Sequence, residues 1–222
     1  MATASVHPKA YRGMGMEGAV ARWYDRNTRR SLPEFRQLAE RLAALVSPHS
    51  RFLEVAPGPG FLAIELARRG FPVTGLDISQ TFVGIARENA RREGVAVDFR
   101  LGNAAAMPFE NAAFDFLVCR AAFKNFYEPV GALQEMHRVL RPGGQALIID
   151  LRRDVPMRTI SHHVDGMGMT ALSRWFTKLT FRFMLLKRAY TRAELEKMLA
   201  QTPFATKEIR QADVGFEAWL VK

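Results

Sequence analysis

The chain has 222 residues, 48% of them hydrophobic and 24% charged, and carries a formal net charge of +10 at pH 7. That length suits one large domain, or one domain with a modest cap, and the balance of apolar and charged residues excludes disordered, collagen-like and fibrous chains. One cysteine, Cys119, excludes an intramolecular disulfide, and nothing approaches the roughly 20 unbroken apolar residues of a membrane span.

In chain order, residues 1–10 lack the apolar stretch of a secretory signal, so a reducing, cytoplasmic setting is expected. Residues 1–48 read as polar, arginine-rich helices, with Leu38, Leu42 and Leu45 marking one apolar face before Pro48 stops the run. From Arg51 onward, strand-like and helical patterns alternate. Phe52-Leu53-Glu54-Val55-Ala56 is a short apolar strand that ends in Pro57-Gly58-Pro59-Gly60, and residues 61–69 follow with helical spacing. Val73-Thr74-Gly75-Leu76 is a second strand, Ser79 a candidate N-cap for a helix over 81–92, and residues 95–101 a third strand. Phe114 to Cys119 form a fourth strand, 129–140 a helix, and 145–151 a fifth strand after the turn Arg141-Pro142-Gly143-Gly144. Thr191 is placed to cap a helix over 192–200, and 204–211 with 216–221 read as a closing hairpin. Strands alternating with helices predict an α/β fold, a doubly wound and mostly parallel sheet with helices on both faces.

The charge is uneven. Residues 1–50 carry eight basic and four acidic side chains, 51–150 eleven of each, and 151–192 nine basic against two acidic. The segment 154–190 interrupts the sheet pattern; within it Leu172, Phe176, Leu179, Phe183 and Leu186 recur at helical spacing, while Arg174, Lys178 and Arg182 occupy another face. Such a basic amphipathic helix suits a lid over a site, or peripheral contact with an anionic bilayer. His137 shares its helix with Leu133, Met136 and Leu140 and reads as a surface or packing histidine; Asp115 reads as structural and Cys119 as a small buried residue.

Gly58 and Gly60, between strand and helix, let a ligand approach the backbone because neither carries a Cβ. Asp77, 19 residues past Gly58 at the end of the second strand, is placed to accept hydrogen bonds from a ribose diol. On these residues alone a dinucleotide fingerprint fits as well. Glu54 separates the two readings: a carboxylate near the turn repels a pyrophosphate and tolerates a cation.

The neighbouring motifs resemble those of the class I S-adenosylmethionine-dependent methyltransferases. They are Leu53-Glu54-Val55-Ala56-Pro57-Gly58-Pro59-Gly60, then Gly75-Leu76-Asp77-Ile78-Ser79, then Gly102-Asn103-Ala104-Ala105-Ala106-Met107-Pro108-Phe109, and the run from Ala132 to Gly144. The resemblance covers about residues 51–151 and implies a Rossmann-like seven-stranded sheet. It also implies S-adenosyl-L-methionine as cofactor, with S-adenosyl-L-homocysteine as product. Carried onto this chain, the backbone of Ala56, Gly58 and Gly60 meets the methionine part and Glu54 orients its amino end. Asp77 holds the ribose, Ile78 and Met107 sandwich the adenine, and Asn103 with Ala104 reads its edge. Tyr24, in the pair Tyr24-Asp25, closes on the methionine carboxylate, and Arg120 after the fourth strand is a further cofactor contact. Many relatives have aspartate at position 103, and the two prolines of the turn remove two backbone donors.

Methyl transfer from a sulfonium is an in-line displacement, so orientation is the main requirement and no universal catalytic residue is implied. His162 and His163, the only adjacent histidines, are candidate bases. Ligands in this fold meet at the carboxyl ends of the strands. The acceptor is therefore expected beneath residues 1–48, the loop 120–127 and the insertion 154–190, which together act as a cap on a single domain. Its candidate lining is Tyr11, Trp23, Phe123, Phe126, Met167, Trp175 and Phe176. An apolar pocket rimmed by arginine suits a small aromatic or lipid-like acceptor and tolerates an acidic group on it. No cluster has metal-ligand spacing. Two other classes stand beside the small-molecule enzyme. One is a nucleic-acid or protein methyltransferase using the basic cap, against which Cys119-Arg120-Ala121-Ala122 stands where amino-methylating enzymes carry an Asn/Asp-Pro-Pro-Tyr/Phe tetrad. The other is a non-catalytic cofactor-binding module.

Overall fold

A computed structural model describes residues 11–12, 15–165, 186–212 and 214–222. Its seven strands are β1 (Phe52–Val55), β2 (Val73–Asp77), β3 (Asp98–Leu101), β4 (Phe114–Arg120), β5 (Leu140–Leu151), β6 (Thr206–Gln211) and β7 (Gly215–Val221). They form one sheet in the order β3-β2-β1-β4-β5-β7-β6. The first five run parallel, while β7 lies antiparallel to both β5 and β6. The strand order reverses between β1 and β4, so a crevice opens where the chain leaves their carboxyl ends.

The helices are α1 (Gly18–Thr28), α2 (Leu32–Ala43), α3 (Phe61–Ala67), α4 (Gln80–Arg92), α5 (Pro129–Val139), α6 (Met157–Asp165) and α7 (Arg192–Leu199). The period-two alternation of β4 separates the two cores: Phe116 and Val118 face one side, Leu117 and Cys119 the other. The first side is covered by α2, α3 and α4 through residues such as Leu38, Leu42, Leu62, Leu66 and Val83. The second is covered by α5 and α7 through Leu133, Met136, Leu195 and Leu199. A smaller cluster of Val155, Ile160, Val164 and Leu186 packs α6.

Local signals fix the element ends. The Ser79 side chain accepts from the Phe82 amide at 3.0 Å, as an N-cap does. Thr191 and Glu194 form a capping box at the start of α7. Two expectations are corrected. Leu45 is 52% exposed, because α2 ends at Ala43 and leaves it beyond the apolar stripe, while Phe35 fills the core at the other end of that helix. The third strand begins at Asp98; Val95 and Val97 pack against the core before the ladder starts. His137 packs edge-on against Phe204, and Asp115 ties strand to turn by accepting from the Arg51 amide and pairing with Arg141.

Among the described residues no helix is long and apolar enough to cross a membrane, and no group of three or more His, Cys, Asp or Glu side chains could hold a metal ion.

Candidate functional site

At the end of β1 the backbone makes a tight left-handed course, with φ of +56° at Ala56, +54° at Gly58 and +81° at Gly60. Glycine meets this geometry without strain, and at Gly60 a Cβ would also lie 2.7 Å from the Phe99 ring. The Gly60 amide donates to the Pro57 carbonyl, and α3 starts immediately afterwards.

Two carboxylates flank this turn. Glu54, in β1, is 3% exposed and accepts from the Ala63 amide at 2.8 Å. Burial pushes its pKa up to about 8 against that hydrogen bond and the attraction of Arg120, with the Asp77 charge adding to the rise. Asp77, at the end of β2, accepts from the Gly58 amide at 3.0 Å and the Ser79 amide at 2.9 Å. Burial raises it to about 6, opposed by the same two amides. Among the described residues no protein donor reaches the Ala56 or Gly58 carbonyl. Carboxylates and free carbonyls are acceptors, so the turn is built for a ligand that donates or carries positive charge, and not for a phosphate.

The amino-terminal part of the chain lies across these strand ends. Tyr11 bridges to Phe126 in the loop after β4, and the Arg12 amide donates to the Asn125 carbonyl at 2.7 Å. Further along, the Met16 carbonyl accepts from the Ser79 hydroxyl at 2.6 Å, and the Glu17 carboxylate takes both the amide and the hydroxyl of Thr81. The Tyr11 phenol is pushed up to about 12 by burial; Arg188 opposes this, while Tyr24, Asp77 and Asp150 add to it. Those partners place Tyr11 between the ends of β2 and β5.

Asn89, on α4, holds α1 against the turn. Its amide nitrogen donates to the Asp25 carboxylate and to the Pro59 carbonyl, each at 3.0 Å, while its oxygen accepts from Arg29 at 2.7 Å. Tyr24 thereby stands beside Gly58, with a ring carbon 3.9 Å from the position a Cβ would take there, and its ring meets Phe82 edge-on.

The structure thus gathers Tyr11, Tyr24, Glu54, Ala56, Gly58, Gly60 and Asp77 around one crevice. Arg120 is near enough for its charge to act on Glu54, but its guanidinium pairs with Glu34 at 2.8 Å and lies over the Phe35 ring. Ile78 is half-buried, whereas Met107 is 4% exposed and packed in the core. The Asn103 side-chain oxygen accepts from the Ala105 amide at 3.0 Å and shapes its own loop, with Ala104 half-buried within it. Phe123 and Phe126 are both buried and meet edge-on. Trp23 is 57% exposed and His162 is exposed on α6. Met167, Trp175 and Phe176 lie outside the described residues, as does the side chain of His163.

Sequence reading missed a buried ion pair below the acceptor side. Lys124 and Asp150 meet at 2.8 Å, and the other Asp150 oxygen accepts from the Lys124 amide at 2.8 Å. The two residues are 26 positions apart, on loop and strand, so no local pattern joins them. Tyr190 and Arg12 were missed for the same reason; the Arg12 guanidinium donates to the Tyr190 hydroxyl at 3.0 Å across 178 residues.

Comparison with known proteins agrees with this geometry. A family model described as "Methyltransferase domain" matches residues 53–148. The demethylmenaquinone methyltransferase of Chlorobaculum parvum is 31% identical over 165 residues, 71% of this chain and 67% of that protein. The Thermus thermophilus demethylmenaquinone methyltransferase is 38% identical over 109 residues, 48% of this chain and 50% of that protein. The ubiquinone biosynthesis O-methyltransferase of Pseudomonas aeruginosa is 29% identical over 144 residues, 62% and 61% of the two chains. The chain therefore spans about half to two thirds of the length of these curated relatives. Among solved structures, a SAM-dependent methyltransferase from Aquifex aeolicus superposes with a TM-score of 0.61 over 86% of this chain and 97% of that one, at 16% identity. A Methanococcus maripaludis protein provisionally assigned to the same class gives 0.75 over 95% of each chain at 20% identity. At these identities the structures speak for the fold alone.

Proposed function

The chain belongs to the S-adenosylmethionine-dependent methyltransferases, and we propose that it methylates a small apolar or aromatic organic acceptor held above the ends of β4 and β5. The observation that carries this reading is the pairing of Glu54 and Asp77 on either side of a turn with unengaged carbonyls, a donor-seeking surface at the point where the strand order reverses. The relatives' names support the acceptor class, since menaquinone and ubiquinone precursors carry aromatic or quinonoid rings. Residues 1–48 and 154–190 serve in this reading as the cap of one domain.

S-adenosylmethionine supplies a methyl group on a cationic sulfur, which an acceptor nucleophile displaces in line. The residues here bind and orient. Glu54, ionised, draws the amino end of the cofactor toward the Ala56 and Gly58 carbonyls. Asp77 keeps its two backbone bonds and offers its remaining lone pairs to the ribose hydroxyls. Tyr24, fixed beside Gly58 by the Asp25 and Asn89 contacts, closes the methionine end. Ile78 and Met107 flank the adenine, and the loop of Asn103 and Ala104 reads its edge, the amide oxygen keeping a lone pair beyond its bond to Ala105. Tyr11, Phe123 and Phe126 supply apolar surface on the acceptor side, where holding the reacting atoms in line is worth up to about 7 to 11 kcal/mol.

The test is incubation with S-adenosylmethionine labelled in the methyl group and a panel of hydroxylated benzoquinols, naphthoquinols and simple phenols, with the product identified by mass. Label on a ring carbon or ring oxygen supports the reading. Label found only in protein or nucleic acid refutes it.

A further inference from the structure

The charges on the acceptor side do not balance. Asp150 is fully engaged by Lys124, and Glu194 is bound by Arg153 and by the Thr191 cap. Arg12 and Arg188 remain. Arg12 donates to a neutral acceptor, the Tyr190 hydroxyl, and Arg188, two residues before Tyr190, is half-buried. Neither has an acidic partner among the described residues. Arg188 is nevertheless close enough to the Tyr11 phenol that its charge is the largest influence there after burial. Two guanidinium groups thus stand uncompensated on one rim of the crevice, on either side of two phenols and beside the aromatic pair Phe123 and Phe126.

Partial burial makes an unpaired cation costly, and a charge-assisted bond to an anion relieves that cost. Guanidinium forks match the planar oxygens of a carboxylate, and the neighbouring rings offer apolar surface to the body that bears it. We infer that Arg188 and Arg12 form a subsite for an acidic oxygen of the acceptor, so that the acceptor is an aromatic acid and not a neutral ring. This inference rests on the methyltransferase reading above and adds the recognition of its substrate. Tyr190 is the positioning residue: its hydroxyl orients Arg12, and its ring lies 5.8 Å from that of Phe123.

The experiment uses two probes of equal shape, naphthoate and naphthamide, titrated calorimetrically into the protein saturated with S-adenosylhomocysteine. Naphthoate should bind at least about tenfold tighter than naphthamide, as one charge-assisted bond predicts, and added salt should shrink the difference. Arg188→Gln and Arg12→Gln should each reduce the preference, and together abolish it, while S-adenosylhomocysteine affinity is unchanged in both. Arg210→Gln, on β6 at the far edge of the sheet, should leave it intact. Equal binding of the two probes, binding of neither, or a preference that survives the double substitution overturns the inference. Failure of S-adenosylhomocysteine to bind at the outset overturns the parent reading instead, so the two failures are separable.

Discussion

The Glu54 carboxylate at the end of β1 accepts a hydrogen bond at 2.8 Å from the Ala63 amide in the first turn of α3, and the two residues close the buried side of the glycine turn. Strand, turn and helix are tied together by a group whose ionisation is opposed by its burial.

A pH dependence follows. The pKa of Glu54 rises from the usual 4.5 to about 8 in the folded chain, so the folded state holds the proton more tightly than the unfolded one. Stability from this group is complete below 4.5 and is lost as pH rises through about 8. Asp77, raised to about 6, acts in the same direction over the lower part of that window. Thermal melting of the ligand-free protein should fall across this range and fall less in Glu54→Gln. A cationic ligand favours the ionised form, so binding below about 8 should release a proton, seen as a buffer-dependent heat in calorimetry. Identical heats in buffers of different ionisation enthalpy would contradict the assignment.

Asp77→Asn keeps the size of the side chain but turns a donor toward a backbone amide. Cofactor affinity should fall by about 2 to 4 kcal/mol, the worth of two charge-assisted hydrogen bonds. Binding isotherms read this directly; an unchanged isotherm would remove Asp77 from the site.

Asn89→Ala should loosen α1 from the turn. It leaves the Pro59 carbonyl and Asp25 without the bonds they make at 3.0 Å, a cost of about 1 to 3 kcal/mol in denaturant unfolding. Because Tyr24 rides on α1, the Michaelis constant for the cofactor should rise while that for the acceptor stays near its original value. A rise confined to the acceptor would mean that α1 serves the other half of the crevice.

Lys124→Met alone strands the Asp150 carboxylate, which is 1% exposed at its side chain, and should destabilise the protein by about 3 to 5 kcal/mol. Adding Asp150→Leu should recover part of that loss, since a buried pair replaced by apolar groups removes the uncompensated charge. If the double variant is no more stable than the single one, the carboxylate has another role in the fold.

The parallel sheet was legible because its signals are local: short apolar runs, Ser79 and Thr191 as caps, and glycines at each strand end. The acid-bearing turn and Asp77 were legible for the same reason, lying within one strand-helix-strand unit. What escaped depends on distant contacts. Nothing around Asn89 indicates that it joins a helix 64 residues earlier to the glycine turn, and Lys124 with Asp150 reads from sequence as an ordinary surface charge on a loop and an acid ending a strand. Leu45 misled because helical spacing continued past the last residue of α2. The apolar stripe through Leu172, Phe176 and Phe183, read as a lid, lies outside the described residues.

The account's central claim is that this turn holds a cation and not a pyrophosphate, and calorimetric titration of the one protein with S-adenosylmethionine, S-adenosylhomocysteine and NAD tests it most directly. The account predicts saturable binding of the first two, lost together in Asp77→Asn and Glu54→Gln, with no heat from NAD. Tight NAD binding, or S-adenosylmethionine affinity indifferent to both substitutions, would contradict it.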